Sequence, residues 1–346
     1  MTPFSPLVIG PLRIALPFVL APMAGYTDLA YRAICRKHGG VEFATTEMLL
    51  DRMLLAGPKV RRKLAIIALD PSEHPLAGQL IGNDPAVMAQ AAAELCSMGL
   101  DVIDLNFACP VNKALTRRRG GYLMRQPGLA VAITRAVVAA VDRPVMLKLR
   151  RSFFEDDRTY DAFWHIAEGA FDAGVSALCV HGRSVQVKYA GPADWEFLAS
   201  VKQRFAGRTI IGSGDAASAA KAIAMLRQTG VDGVSMARGA LGNPWVFQQI
   251  RDLAAGIEPA KPTLQQQRTV LLEHMDLAGR LYGPDKAPKI MRGFGIRYAR
   301  LHEHPKDVRM AFVGVHTSED WLGVVERHYA DGQPTRSVVE PAGLGS

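Results

Sequence analysis

Residues that can do chemistry occur at the ends of short apolar runs in this sequence. Lys148 lies near the end of PVMLKL, His181 ends SALCVH, and Cys109 follows Asn106 just after VIDLNF. A thiol outside regular structure can donate or accept a proton, and an ammonium or imidazole group can stabilise negative charge on a bound ring. These residue types indicate proton-transfer or redox chemistry. The structural alternatives are an ion pair for Lys148 and a hydrogen-bonded rim position for His181.

Two glycine-containing turns follow the last two apolar runs. Gly212-Ser213-Gly214-Asp215 comes after TII, and Ala237-Arg238-Gly239 comes after GVSM. Such turns can direct backbone N–H groups, and here a guanidinium, at one phosphate. Ordinary connecting turns are the alternative. The phosphate interpretation is favoured because the loops after strands seven and eight of a parallel barrel commonly bind phosphate.

Short strand-like runs alternate with helical patterns along most of the chain. The predicted strands are residues 17–22, 42–47, 76–81, 102–107, 144–149, 176–181, 209–213 and 232–236. This order predicts an α/β fold, a (β/α)8 TIM barrel with its active site at the carboxyl ends of the strands. A doubly wound sheet is less favoured because only one glycine follows the first strand. Residues 7–15 are predicted to form a hairpin before the barrel.

The chain is predicted to divide into three parts. Residues 1–256 form the barrel domain, and 257–262 are a linker. Residues 263–330 form an all-α helical domain because they contain no strand-like run, and 331–346 form a flexible tail. Within the barrel domain, GNPWVFQQIRDLAAG predicts a helix capped by Asn243.

Composition excludes several classes of protein. The 346 residues are 49% hydrophobic and 21% charged, as in globular proteins, with a formal net charge of +8 that allows a polyanionic partner. No apolar run is long enough for a membrane helix, and the proline-rich N-terminus lacks a basic region, so we expect a cytoplasmic protein without membrane association. The four cysteines form no CxxC pair, so no metal site is expected.

Several segments, taken in order, resemble the signature segments of tRNA-dihydrouridine synthases. They are APMAGYTD (21–28), DLNFACP (104–110), KLR (148–150), HGR (181–183) and ARGALGNPW (237–245). The resemblance extends from about residue 7 to residue 330. The combination is specific, although no single segment is.

The resemblance implies an FMN-bound TIM barrel followed by a tRNA-binding helical domain, acting as a monomer. NADPH would reduce the flavin, hydride would pass to C6 of a flipped uracil, and Cys109 would protonate C5 as the catalytic acid. Flavin-binding roles are implied for Pro22, Met23, Ala24, Gln79, Lys148, His181, Ser213, Gly214, Asp215, Ala237 and Arg238. Substrate-binding roles are implied for Asn106, Arg150 and Arg183.

Three positions depart from the usual family pattern. Ala108 stands where a glycine usually precedes the cysteine, Ser213 replaces an asparagine, and Ala237 replaces a glycine before Arg238. Each change keeps the backbone donors available. We interpret them as marks of a divergent subfamily with the same reaction.

Basic residues cluster at three places that could contact a tRNA backbone. The clusters are Lys59, Arg61, Arg62 and Lys63; Arg117, Arg118 and Arg119; and Lys286, Lys289, Arg292, Arg297 and Arg300. Phosphate contacts of this kind make affinity fall steeply with salt. Solvated surface charge is the alternative for each cluster.

Two other functions compete with tRNA-uridine reduction. Another FMN barrel oxidoreductase, such as a dihydroorotate dehydrogenase-like enzyme or an ene-reductase, would not need the basic helical domain. A non-catalytic tRNA-binding protein would keep the barrel without turnover.

Overall fold

The computed structural model describes residues 4–57, 65–155 and 160–330. The strands are β1 (Leu7–Ile9), β2 (Leu12–Ile14), β3 (Phe18–Leu20), β4 (Ala44–Thr45), β5 (Leu49–Leu50), β6 (Leu76–Ile81), β7 (Val102–Asn106), β8 (Val145–Arg150), β9 (Ala177–His181), β10 (Thr209–Ser213) and β11 (Gly233–Met236). The barrel helices are α1 (Leu29–Ile34), α2 (Asp51–Leu54), α3 (Pro85–Ser97), α4 (Asn112–Leu115), α5 (Pro127–Ala140), α6 (Tyr160–Asp172), α7 (Trp195–Arg204), α8 (Ala219–Thr229) and α9 (Val246–Ala254). The C-terminal helices are α10 (Leu264–Tyr282), α11 (Ala287–Tyr298), α12 (Pro305–Val313) and α13 (Ser318–Tyr329).

Eight parallel strands close into a barrel, which confirms the predicted fold class. The strand β3 pairs with β4 on one side and β11 on the other, and β4 also pairs with β6, so the sheet joins on itself. The short strand β5, which the sequence patterns did not predict, pairs beside β6. The strands are almost wholly buried, and this explains their near-continuous apolar sequences.

The hairpin of β1 and β2, predicted over residues 7–15, closes the amino-terminal end of the barrel. Its side chains Leu7, Ile9 and Ile14 are buried in one cluster with side chains from six of the barrel strands and with Phe43. Leu7 lies against Gly233, the first residue of β11, where a Cβ would come within 3.0 Å of it. The lower half of the barrel is therefore a packed apolar core.

The C-terminal helices dock on the barrel through Tyr31 of α1. Its ring lies 5.5 Å from the ring of His274 and 5.1 Å from that of Phe294, and its hydroxyl donates to the carbonyl of Ala240 at 2.5 Å. Nearby, the hydroxyl of Tyr282 donates to Asp28 at 2.7 Å. Residues of both regions belong to one buried hydrophobic cluster, so the helices and the barrel share a core.

The cap predicted at Asn243 is wrong, because α9 begins at Val246. Residues 237–241 form a separate helical turn, in which Leu241 N–H donates to the carbonyl of Ala237 at 3.1 Å. The side chain of Asn243 instead donates to Gln249 Oε1 at 2.9 Å.

Some predictions fall on residues outside the described ranges. These are the basic cluster of residues 59–63 and the tail of residues 331–346. Across the ranges that the structure describes, no helix has both the length and the apolar character needed to cross a bilayer. The domain boundaries stay a prediction.

A buried ion pair fixes the entry to α1. The guanidinium of Arg32 is fully buried and donates two hydrogen bonds to Glu73, at 2.8 and 2.7 Å. It also donates to the carbonyls of Thr27 and Ala68. This one side chain therefore ties the loop after β3 to the segment before β6.

We expect Glu73→Gln to lower the free energy of unfolding by about 3–5 kcal/mol, because it leaves the buried Arg32 charge without its counter-ion. Urea denaturation at pH 7 would measure this. The matched control is Asp276→Asn, which breaks the exposed pair with Arg280 and should change stability by less than about 1 kcal/mol. Equal losses in the two variants would contradict the role given to the buried pair.

Candidate active site

A cavity of about 470 Å³ opens at the carboxyl ends of the barrel strands. Its size suits a cofactor or a drug-sized ligand. The predicted site residues that line it are Pro22, Met23, Ala24, Gln79, Asn106, Cys109, Lys148, Arg150, His181, Ser213, Gly214, Asp215, Ala237 and Arg238. Of the predicted residues, Arg183 is the one that the lining does not include. Strand ends distributed from residue 22 to residue 238 thus meet in one space.

A chain of side-chain amides runs along one wall of the cavity to Cys109. Gln79 Nε2 donates to Asp104 at 2.7 Å, and Asn106 Nδ2 donates to Gln79 Oε1 at 2.8 Å. Asn106 Oδ1 in turn accepts the backbone N–H groups of Ala108 and Cys109, at 3.1 and 2.9 Å. The bond to Asp104 therefore sets the orientation of the Gln79 amide, and Asn106 holds the backbone that carries the thiol.

Asp104 is a buried carboxyl at the start of this chain. Burial raises its pKa to about 6, while the hydrogen bond from Gln79 and the charge of Lys148 act in the opposite direction. Its second oxygen, Oδ1, is buried and has no hydrogen-bond partner among the described residues. The group is therefore costly to ionise, and it changes charge close to neutral pH.

Lys148 directs an ammonium group into the cavity. It lies on β8 beside Asn106 of β7 and Cys179 of β9. Its Nζ lies 3.2 Å from Cys179 Sγ and 3.5 Å from Ser213 Oγ. Within the described ranges no carboxylate lies at ion-pair distance, so the alternative of an ion pair across the barrel is not found there. The positive charge is available to an anionic or electron-rich ligand.

His181 presents a neutral imidazole to the same space. Burial, followed by the charges of Arg150 and other cations around it, lowers its pKa to about 2. Its Nδ1 accepts the backbone N–H of Arg183 at 3.2 Å, which assigns the ring proton to Nε2. The cavity lining includes this residue. The imidazole can therefore serve as a hydrogen-bond donor without carrying charge.

The turn after β10 has the backbone shape expected of an anion site. Gly214 has φ +114° and Asp215 has φ +63°, a left-handed conformation that aspartate tolerates. The Asp215 carboxylate accepts two bonds from Arg183 at 2.7 Å and the N–H of Ala193 at 2.7 Å. The charge of this carboxylate is therefore paired with donors of the protein. The backbone N–H groups of Asp215 and Ala216 have no acceptor among the described residues.

The turn after β11 lies directly against this one. A Cβ on Gly239 would stand 2.4 Å from the carbonyl oxygen of Ala216. The two turns can therefore be in contact only because residue 239 is a glycine. Arg238 is 61% exposed, with one guanidinium nitrogen 3.3 Å from Asp215 Oδ1. N–H groups without an acceptor among the described residues and an exposed guanidinium, at the ends of the seventh and eighth barrel strands, form a suitable phosphate cradle.

The two arginines predicted to bind substrate are both held by main-chain carbonyls. Arg150 donates to the carbonyls of Ala108, Ser184 and Lys188, at 2.9, 2.8 and 2.6 Å. Arg183 is buried behind the cavity wall, where it bonds Asp215 and the carbonyl of Gly191. Their substrate-binding roles stay predictions.

Cys109 is half-buried at the cavity mouth. Burial raises the pKa of its thiol, with smaller opposing effects from a backbone N–H and Arg150. The following loop returns to it: Gly121 N–H donates to the Cys109 carbonyl at 3.0 Å, and a Cβ on Gly120 would meet Cys109 Cβ at 2.9 Å. The residue therefore carries a protonated thiol at neutral pH in a loop with little room to shift.

Sequence reasoning assigned no role at the cavity to Asp104, Tyr189 or Arg297. Asp104 lies two residues before Asn106, and this spacing places both side chains on the same face of β7. Tyr189 lines the cavity with a 57% exposed ring, 5.4 Å from the Arg150 guanidinium. Arg297, predicted only as a tRNA contact, reaches the cavity from α11. Its approach depends on how the helices dock, which no local pattern shows.

Comparison with known sequences finds relatives that match most of this chain. A family model described as dihydrouridine synthase matches residues 19–329. The tRNA-dihydrouridine synthase B of Shewanella oneidensis is 34% identical over 93% of this chain and 98% of its own length. That of Pseudomonas aeruginosa is 33% identical over 94% of this chain and 96% of its own length. A probable tRNA-dihydrouridine synthase of Rickettsia bellii is 36% identical over 82% of this chain and 86% of its own.

Comparison with solved structures supports the fold alone. Histamine dehydrogenase from Rhizobium sp. 4-9 superposes with a TM-score of 0.54 and 14% sequence identity. The match covers 79% of this chain, and this chain spans about half the length of that structure (50%).

We expect Asp104→Asn to change how stability depends on pH. The pKa of Asp104 is raised in the folded state. Ionisation of this carboxyl as pH rises from about 4 through about 6 therefore lowers the free energy of unfolding of the wild type, and an asparagine at this position does not ionise. The variant should therefore gain stability relative to wild type between pH 4 and pH 7, by on the order of 2–3 kcal/mol. Urea denaturation across this range is the measurement.

The control variant, Asp320→Asn, should change stability in the opposite direction. Backbone N–H groups of His316 and Thr317 lower the pKa of Asp320, so this carboxylate stabilises the fold above pH 4 and loses its effect as pH falls. Asp320→Asn should lose stability relative to wild type at pH 7 and less at lower pH. A pH profile of Asp104→Asn that runs parallel to wild type would contradict the assignment.

Proposed function

The chain belongs to the dihydrouridine synthase family, and from this premise we propose that it reduces uridines in tRNA to 5,6-dihydrouridine, with FMN as its cofactor and NADPH as the reductant. The observation that carries the proposal is that one cavity is lined by a thiol, by an ammonium with no carboxylate at ion-pair distance among the described residues, by a neutral imidazole, and by two turns suited to bind a phosphate.

The residues present fit a flavin mononucleotide. The turns at 214–216 and 237–239 would hold the phosphate through backbone N–H groups and Arg238. The Gln79 and Asn106 amides can bond the polar edge of a flavin ring, and Pro22, Met23 and Ala24 supply an apolar surface. Bound there, the reduced flavin would supply a hydride for C6 of the uracil.

Lys148 and His181 would act on the charge of the cofactor. A reduced flavin carries negative charge at N1 and the C2 carbonyl, and an ammonium without a carboxylate partner is suited to stabilise it. The neutral His181 adds a hydrogen-bond donor without a second charge. The low pKa of His181 means that this arrangement is the same across the physiological pH range.

Cys109 would supply the proton. Its thiol is protonated at neutral pH because burial raises its pKa, so it can donate to C5 as hydride arrives at C6. The C5–C6 double bond is thereby reduced, and the thiolate recovers its proton from solvent. Asn106 keeps the cysteine backbone in place through the bond to its N–H.

The uracil must leave the tRNA stack to reach this depth, since the cavity lies within the barrel rim. The face of α11 offers a path for the backbone. Lys286, Lys289 and Arg297 are exposed and lie close to one line along the helix, which ends where Arg297 meets the cavity. Gly293 lies between them on this line, with open space where its Cβ would be.

We expect Cys109→Ala to retain bound flavin and its reduction by NADPH, but to lower the reoxidation of reduced flavin by tRNA by about 10²–10⁴-fold, since it removes the general acid. Stopped-flow absorbance separates the two half-reactions. Cys96→Ala, on the outer helix α3, is the matched control and should behave as wild type. Undiminished dihydrouridine formation by Cys109→Ala would remove this residue from the acid role.

We expect the double variant Lys286→Ala/Lys289→Ala to bind unmodified tRNA more weakly and with a shallower salt dependence. The magnitude of the slope of log affinity against log salt should fall by about 1–2. The reason is that binding releases fewer counterions when fewer phosphates are contacted. The control pair Arg135→Ala/Arg143→Ala removes the same charge from two exposed arginines, one on α5 and one in the turn that follows it. If both pairs lower the slope equally, the α11 surface is not the tRNA path.

A further inference from the structure

Arg300 reaches from the C-terminal helices to the turn after β11. It lies in the short 3-10 turn Ala299–Leu301 that follows α11. Its Nη1 donates to the carbonyl of Arg238 at 3.1 Å, and its Nη2 donates to the carbonyl of Gly239 at 2.8 Å. Two successive carbonyls of one turn are thus bound by a single planar guanidinium.

This contact restricts the direction of the turn's N–H groups. In a planar trans peptide the C=O and the following N–H point in opposite directions. With the Arg238 carbonyl held on the side of Arg300, the Gly239 N–H points away from Arg300. The Gly239 carbonyl is held in the same way, and the next N–H, of Ala240, closes the turn on the carbonyl of Ala237 at 3.0 Å.

The turn held by Arg300 is also the one that packs on the 214–216 turn. The Gly239 backbone sits so close to the carbonyl of Ala216 that no Cβ fits between them. Arg300 therefore holds the 237–239 turn in contact with the 214–216 turn, and these two turns form the phosphate cradle. Its position in the fold differs from that of Lys286 and Lys289, for which the structure gives no such carbonyl acceptors within the described residues.

We propose that Arg300 is a positioning residue for the phosphate end of the cofactor site, rather than a contact for the tRNA backbone. It holds the 237–239 turn in the orientation that binds a phosphate monoester, and it places a fixed positive charge behind that turn. The inference rests on the proposed function in one respect, namely that the ligand of the cavity is FMN.

The test compares two flavins that differ only by the phosphate. FMN and riboflavin are titrated separately into flavin-free full-length protein, and binding is followed by quenching of flavin fluorescence. For Arg300→Ala we expect FMN affinity to fall about tenfold or more and riboflavin affinity by less than about twofold. Arg300→Lys, which keeps the charge but not the planar pair of donors, should lie between wild type and the alanine variant.

Arg309→Ala is the matched control, because it removes an exposed arginine of α12 and should leave both affinities unchanged. An unchanged preference for FMN over riboflavin in Arg300→Ala would overturn the inference. An equal loss for the two flavins, with a lower melting temperature, would also overturn it by indicating a general structural role. Wild-type protein that binds neither flavin would instead contradict the proposed function, and this inference with it.

Discussion

Closure of an all-parallel sheet is the constraint on which the rest of this structure depends. Because β4 pairs with both β3 and β6, each of the eight barrel strands has two neighbours, and their carboxyl ends lie at one rim. That geometry brings together a thiol from residue 109, an ammonium from 148 and turns near 214 and 238. The hairpin of β1 and β2 fills the opposite end of the barrel with apolar side chains. The cavity that holds the polar groups is therefore closed below and opens at the carboxyl-terminal rim.

The polar groups of the site are held by the protein before any ligand arrives. Gln79 and Asn106 bond each other, and Arg150 and Arg183 satisfy carbonyls of the surrounding loops. Most of these bonds offset the cost of burial. Asp104 keeps one oxygen without a described partner and has a raised pKa, so at neutral pH the site retains a buried charge that stability alone would not favour. The same carboxyl accepts the hydrogen bond that orients the Gln79 amide.

How far the sequence predicts this molecule depends on the range of each interaction. The eight strands were predictable because apolar runs and strand ends are local signals, and Lys148 or His181 could be placed at the rim from that pattern. The residue type and position of Cys109 indicated proton transfer, but its specific role, like that of Gln79, was implied only by the family resemblance. Long-range pairing was not predictable: Arg183 closes on Asp215, and Arg300 on carbonyls 61 and 62 residues away. The cap expected at Asn243 is absent because residues 237–241 form a separate turn and α9 begins only at Val246.

The pairing of β3 with β11 has a consequence for the synthesis of the chain. Phe18 lies beside Val234, so the first barrel strand has an open edge until more than two hundred residues later have been made. At about 5–20 residues per second, that interval is on the order of 10–40 s. During it the hairpin of β1 and β2 also lacks most of the strands that bury it. The nascent barrel therefore has an exposed strand edge throughout this interval, and the barrel closes only once β11 has been synthesised, about two thirds of the way along the chain.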